Sequence, residues 1–184
     1  MTEKRFHRTA PNDLLRVGVI TGPGGHTANI WGEKMNAPGQ AMRTTGMLMT
    51  HAFCLNSDFR GQFAEKYPEV TLVADPREMV DHIDGVYVDD INAISLYPLL
   101  VRPFLAAGVP TFVNRPFATS MAKGREMVET AQQHGTALLT ASTWEFSEGA
   151  GDLRAKAADL AEIRGYVAHN SMSDYYSHGL HGVW

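Results

Sequence analysis

Short apolar runs rich in β-branched residues alternate with helical stretches along most of the chain. That alternation restricts the fold more than any other feature. The runs are Arg16 to Thr21, Gly46 to Leu55, Val70 to Ala74, GVYVDD at 85–90, VPTFVN at 109–114 and TALLTA at 136–141. Each is short and bounded by turn residues, and so reads as a strand. The segments between them carry helix signals. Thr27 to Met35 follows the first strand as a helix. Ala37 to Gly46 is a polar loop with proline and glycines. Ser57 precedes DFRGQFAEKY, in which Phe59, Phe63 and Tyr67 recur at a spacing of four. Asp75-Pro76 supplies an N-cap and a first-turn proline for the short helix PREMVDHI. A helix from about Ile94 to Ala107 stops at Gly108, and Pro98 and Pro103 inside it predict a kink. Thr119 or Ser120 caps a long amphipathic helix that ends at Gly135. Glu148 to Leu160 reads as a further helix, and Ile163 to Ser171 as a strand of alternating polarity.

Strands separated by helices pair in parallel, through right-handed crossovers that put helices on both faces of the sheet. The expected fold is therefore α/β, a doubly wound parallel sheet. Ligands of such sheets bind at the carboxyl ends of the strands. This directs attention to Thr21–His26, Cys54–Asn56, Asp89–Asn92 and Asn114–Pro116.

At the first of these edges, Gly22, Pro23, Gly24, Gly25, His26 and Thr27 follow a strand and open a helix. Glycine there permits a tight turn and lets a pyrophosphate approach the backbone, where the helix N-terminus offers N–H groups and a positive dipole end. The third glycine of the dinucleotide fingerprint is replaced by Thr27. The acid expected at the end of the second strand, to bond the ribose of NAD, is also missing: the strand ends His51-Ala52-Phe53-Cys54-Leu55-Asn56. Asn56 or Asp58 substitutes for it, and a neutral position tolerates the 2′-phosphate of NADP. Cys54 reads as a buried strand residue. Asp89 and Asp90 either contact a ribose or cap the next helix, and His26 is either a phosphate contact or a solvated helix-start residue.

Composition removes several classes. The chain has 16 basic and 20 acidic side chains and a net charge of −4, without the basic field that general nucleic-acid binding requires. One cysteine permits no intrachain disulfide, which suits a reducing compartment, and a cytoplasmic location is expected. The opening MTEKRFHRTAPND lacks the apolar segment of a signal peptide, and no apolar run is long enough to span a membrane. His169, His178 and His181 have no carboxylate or thiol at ligand spacing, so no metal is expected.

Three segments together carry a family resemblance: VGVITGPGGHT at 17–27, VRPFLAAGVPTFVNRPFA at 101–118, and SHGLHGVW at 177–184. They resemble the Gfo/Idh/MocA family of NAD(P)-dependent oxidoreductases, over about Arg16 to Trp184. The resemblance implies a Rossmann-type domain at 15–143, after a polar arm at 1–14. It also implies the truncated start of an α/β substrate and oligomerisation domain at 144–184. It implies NAD or NADP held by Gly22, Pro23, Gly24, Gly25, His26, Thr27, Cys54, Asp90, Asn114 and Arg115. The family's Glu-Lys-Pro or Asp-Lys-Pro falls on Asn114-Arg115-Pro116. Arg115 donates hydrogen bonds but stays protonated, so it relays no proton as the family lysine does. The family's Asp-x-Gly-x-His falls on Ser177 to His181, which makes His181 the general acid/base, and a position often His in the family falls on Tyr97. The implied reaction is hydride transfer at a secondary alcohol of a sugar, cyclitol or related polyol. The departures at Cys54, Asn114, Arg115 and Ser177 leave two alternatives. One is an impaired nucleotide-binding or accessory subunit, and the other a glycosidase or epimerase with tightly held NAD. Family members are generally about twice as long. The chain is therefore expected to be a fragment, a truncated product, or a half that joins a partner chain or another copy.

Overall fold

The computed structural model describes residues 14–36, 46–142 and 148–158. Strand β1 (Leu15–Thr21) leads through the glycine turn into a π-helical turn (Thr27–Trp31), which continues as α1 (Gly32–Asn36). Then come β2 (Met47–Cys54), α2 (Ser57–Lys66), β3 (Thr71–Leu72), a 3-10 turn (Pro76–Met79) and β4 (Gly85–Asp89). A second 3-10 segment (Ile91–Leu96) runs into α3 (Tyr97–Ala106), followed by β5 (Thr111–Val113), α4 (Met121–His134), β6 (Leu138–Leu139) and α5 (Glu148–Ala158).

The six strands form one parallel sheet in the order β3-β2-β1-β4-β5-β6. The order reverses between β1 and β4, and a crevice opens at such a reversal in a doubly wound sheet. β1 is central, so both of its faces are covered. Val19 packs with Met49, Ala52, Phe63 and Tyr67 on one side. Ile20 packs with Val86, Val88, Tyr97, Val101 and Phe104 on the other. Adjacent strand residues point to opposite faces, which explains why β1 is a continuous apolar run and does not alternate.

Local chemistry sets the element ends. The cap of α2 is Asn56, not Ser57: its side chain accepts the Phe59 N–H at 2.9 Å. Asp75 closes a capping box with Glu78, but the expected helix 76–83 is a single 3-10 turn. Ser120, not Thr119, caps α4, and Gly135 ends it in the left-handed region at φ 63°. The prolines do not break α3. Pro98 sits in the first turn, where the missing N–H has no partner to lose, and the non-helical residue is Ala93, upstream of both prolines.

The chain divides into two compact units, Met1–Leu139 and Thr140–Trp184. The whole sheet lies in the first, and α5 lies in the second. The arm 1–13, the expected strand at Ile163 to Ser171, and Ser177, His178 and His181 lie outside the described residues. Among the described residues no helix is long and apolar enough to cross a membrane, and no group of side chains is placed to hold a metal.

Candidate functional site

The glycine turn projects from the carboxyl end of β1 and packs on the end of β4. Gly25 N–H donates to Gly22 C=O at 3.0 Å, which makes the turn tight. A Cβ on Gly22 would strike the Asp90 carboxylate. One on Gly24 would strike Asn92 and Asp90, and one on Gly25 the carbonyl of Asp89. At Gly25 the obstacle is main chain, so glycine is required there by the chain's own packing, whereas at Gly22 and Gly24 it is the ends of the Asp90 and Asn92 side chains.

The centre of the site is Asp89, the last residue of β4 and fully buried. Its Oδ2 accepts the His26 N–H at 2.6 Å, the Thr27 N–H at 2.7 Å and the Thr27 hydroxyl at 2.8 Å. Its Oδ1 accepts Asn114 Nδ2 at 2.7 Å and lies 3.7 Å from His26 Nδ1. Burial pushes the Asp89 carboxyl up, but the hydrogen bonds from His26, Thr27 and Asn114 and the nearby imidazole outweigh it, and its pKa falls below the ordinary value. Two departures from the fingerprints thus have one cause. Thr27 supplies a hydroxyl donor that glycine lacks. Asn114 supplies an amide donor, whereas a carboxylate there would face Asp89 with like charge.

Asp90 works beside it. Its side chain accepts the Asn92 N–H at 2.9 Å, which caps the 3-10 segment, and the Gly24 backbone also favours its charge. Burial, with the charge of Asp89 adding, holds the Asp90 carboxyl above its ordinary value despite these bonds. Tyr97 is fully buried, and its hydroxyl both accepts the Asp90 N–H at 3.1 Å and donates to the Asp90 carbonyl at 3.0 Å. It clamps the loop, and burial keeps its phenol protonated far above the ordinary range. On β5, Asn114 Oδ1 accepts the Arg115 N–H at 2.9 Å, the Arg115–Pro116 peptide is cis, and the nearly buried Arg115 guanidinium acts electrostatically on Tyr87 and Tyr97.

At the end of β2 the cofactor-facing signals are weaker. The Asn56 side chain is committed to α2. The Cys54 thiol is buried, and burial pushes it up to about 11 although Arg60 pulls the other way. Arg60, which sequence reasoning passed over, donates to the Val73 and Leu72 carbonyls at 2.6 and 3.1 Å. An arginine in the first turn after a ribose-side strand was the available signal.

The site can be tested against a dinucleotide. The strand reversal and the glycine turn give the right backbone course. The N–H groups of Gly25, His26 and Thr27, however, are engaged by Gly22, Asp89 and Asp89 in turn. Phosphates on this turn are therefore met largely by side chains, and His26 is the basic side chain that the turn itself supplies. With that substitution the residues fit the group. Thr21 Oγ1, buried beside Gly25, has no hydrogen-bond partner among the described residues.

Comparison with known proteins places this geometry in context. A family model described as an oxidoreductase family with an NAD-binding Rossmann fold matches residues 15–142. The chain is 24% identical over 122 residues to the scyllo-inositol 2-dehydrogenase (NADP(+)) IolU of Bacillus subtilis (strain 168), covering 65% of this chain and 37% of that protein. Biliverdin reductase from Synechocystis sp. PCC 6803, solved with biliverdin and NADP+, superimposes with a TM-score of 0.62 at 18% identity over 81% of this chain and 44% of that one. An oxidoreductase from Agrobacterium radiobacter, solved with NAD+, L-tartaric acid and magnesium, gives 0.62 at 16% identity over 78% of this chain and 40% of that one. At these identities the structures share the fold. The chain spans less than half the length of each of these relatives.

Proposed function

The chain belongs to the Gfo/Idh/MocA oxidoreductase family, with an NAD-binding Rossmann fold, and from that premise we propose that it acts as an NAD(P)-dependent oxidoreductase on a secondary alcohol of a sugar, cyclitol or related polyol. The observation that carries this reading is the family match over 15–142, which spans every element of the β1–β4–β5 edge just described. The inositol dehydrogenase among its relatives supports the choice of a polyol.

The residues proposed to receive the dinucleotide are Gly22 to Thr27 with Asp90, Asn114 and Arg115. Cys54 ends β2 beneath them, with its thiol in the core. Bound there, the nicotinamide supplies a hydride acceptor or donor. The chain's own residues do the rest. Arg115 donates to the substrate oxygen and stabilises negative charge on it. It cannot take the hydroxyl proton, because its guanidinium remains charged at any ordinary pH. That proton is assigned to His181, which carries the role through the family motif. Asn114, fixed between Asp89 and the Arg115 backbone, sets the direction of the Arg115 segment.

The test is a thermal shift with NAD, NADH, NADP and NADPH, followed by turnover on a panel of polyols. A ligand at 100 times its dissociation constant stabilises by about 2.7 kcal/mol, which is readily seen. At least one dinucleotide is expected to shift the melt, and at least one polyol to be oxidised with it. His181→Ala should then lower kcat far more than it alters dinucleotide affinity. The engaged N–H groups of the turn favour one alternative, an accessory subunit of the same fold without turnover. No shift with any of the four dinucleotides, and no oxidation, would select it.

A further inference from the structure

We propose that the His26 side chain, in its protonated form, is the phosphate contact of this glycine turn, so that dinucleotide binding takes up a proton. The inference rests on the dinucleotide reading above and adds to it the group that meets the anion.

Three observations lead there. First, the backbone donors that a pyrophosphate would use are held by the protein itself. Gly22 takes Gly25 N–H, and Asp89 takes those of His26 and Thr27. Second, two carboxylates stand at this turn, and both belong to buried residues. An incoming phosphate therefore meets negative charge in a region of low dielectric, where repulsion is strong. Third, His26 is the one side chain of the turn that can change charge, and its placement suits the task. The ring is 32% exposed. Its Nδ1 faces inward, 3.7 Å from Asp89 Oδ1 and 3.5 Å from Asn114 Nδ2.

The charged groups around His26 decide the sign. Asp89 ends β4, Asp90 opens the segment after it, and Arg115 stands beside Asn114 at the end of β5. Tyr97 is fully buried and Tyr87 partly so, and the loss of water holds both phenols protonated across the ordinary range. With His26 neutral, the turn faces the carboxylates of Asp89 and Asp90 with no positive side chain of its own, and it repels a phosphate. With His26 protonated, one of the two negative charges is offset, Nδ1–H faces Asp89 at 3.7 Å, and the ring carries a second N–H for the anion. The neutral ring can accept from Asn114 at Nδ1 and offer Nε2–H, but only the protonated ring adds the positive charge that favours a phosphate. By linkage, a phosphate at the turn must favour the protonated ring to the same extent. Imidazole changes charge between about pH 5 and 8, so the effect falls where the protein can be assayed.

The experiment measures NADH and NADPH affinity by calorimetry from pH 6 to 8, for the native protein and for His26→Gln, with inorganic pyrophosphate as a second probe. Native affinity should fall about tenfold across that range, and pyrophosphate should compete. In His26→Gln the affinity should be about tenfold lower at pH 6 and nearly flat with pH. Should that variant fail to fold, the native protein alone decides. Binding at pH 7 in buffers of different ionisation enthalpy should show net proton uptake. Zero uptake, or a His26→Gln protein that binds with native affinity and native pH dependence, overturns the proposal while leaving the dinucleotide reading intact. Absence of any dinucleotide binding by the native protein at every pH overturns both.

Discussion

Asp89 and Asp90 are adjacent carboxylates whose surroundings drive them in opposite directions. Asp89 is held below its ordinary value and Asp90 above it. The sign of each contribution to stability follows. The Asp89 charge stabilises the fold at pH values above its unfolded value near ~3.9. That contribution is lost as pH falls through its lower folded value. Asp89→Asn should therefore lower urea stability at pH 7 by about 2–4 kcal/mol, since four donors would lose a charged acceptor. Its stability should also be less sensitive to acid below about pH 4. Asp90 behaves in reverse: its charge is disfavoured in the fold, so stability rises as pH falls through its raised folded value. Asp90→Asn keeps a good N-cap and should be as stable as the native protein or more so at pH 7, by the same urea titration. Native Cys54 should resist a thiol reagent at pH 7 and react once urea unfolds the chain, because its thiol is buried and pushed up to about 11. A native protein labelled as quickly as the unfolded one would contradict that placement. Of these residues Cys54 was legible as buried strand. Asp89 was seen as one acid of a pair but not as the centre of a network, since its donors lie 62 and 25 positions away in sequence.

The elements show where local signals suffice. The N-cap of α4, narrowed to Thr119 or Ser120, the glycine stop at Gly135 and the N-cap at Asp75 are each decided within about four residues, and each was readable. Gly135→Ala should cost about 1 kcal/mol in a urea titration, because a Cβ strains the left-handed backbone even though open space surrounds it. Gly25→Ala should cost distinctly more. Its Cβ would meet the main chain of Asp89, and backbone cannot step aside as a flexible side chain can. An equal cost for the two substitutions would show that the turn does not sit against β4. Local signals mislead where packing overrides them. The helix expected after Asp75 stops after one 3-10 turn, with Met79 and Ile83 drawn into the core. α3 starts three residues later than the sequence places it, so Pro98 falls in its first turn and disturbs nothing, and α3 runs on through Pro103 to Ala106.

At the scale of the whole molecule, both hydrophobic clusters and all six strands lie within Met1–Leu139. This unit should fold by itself and unfold in urea as one transition, with Trp31 fluorescence and far-ultraviolet circular dichroism giving coincident curves. Two separated transitions would mean that the halves of the sheet on either side of β1 are not one cooperative body. The sequence by itself determined the α/β class, the parallel pairing, the edge at which to look and the family. Each of these rests on short-range periodicity or on a contiguous motif. Only the tertiary structure decided that Thr27, Asn114 and His26 converge on Asp89. The strand order and register bring together the ends of β1, β4 and β5, which the chain keeps far apart. A buried charge selects its donors from whatever that register delivers, so Thr27 and Asn114, which stand in sequence as unrelated departures from two motifs, are in space the hydrogen-bond donors to one carboxylate.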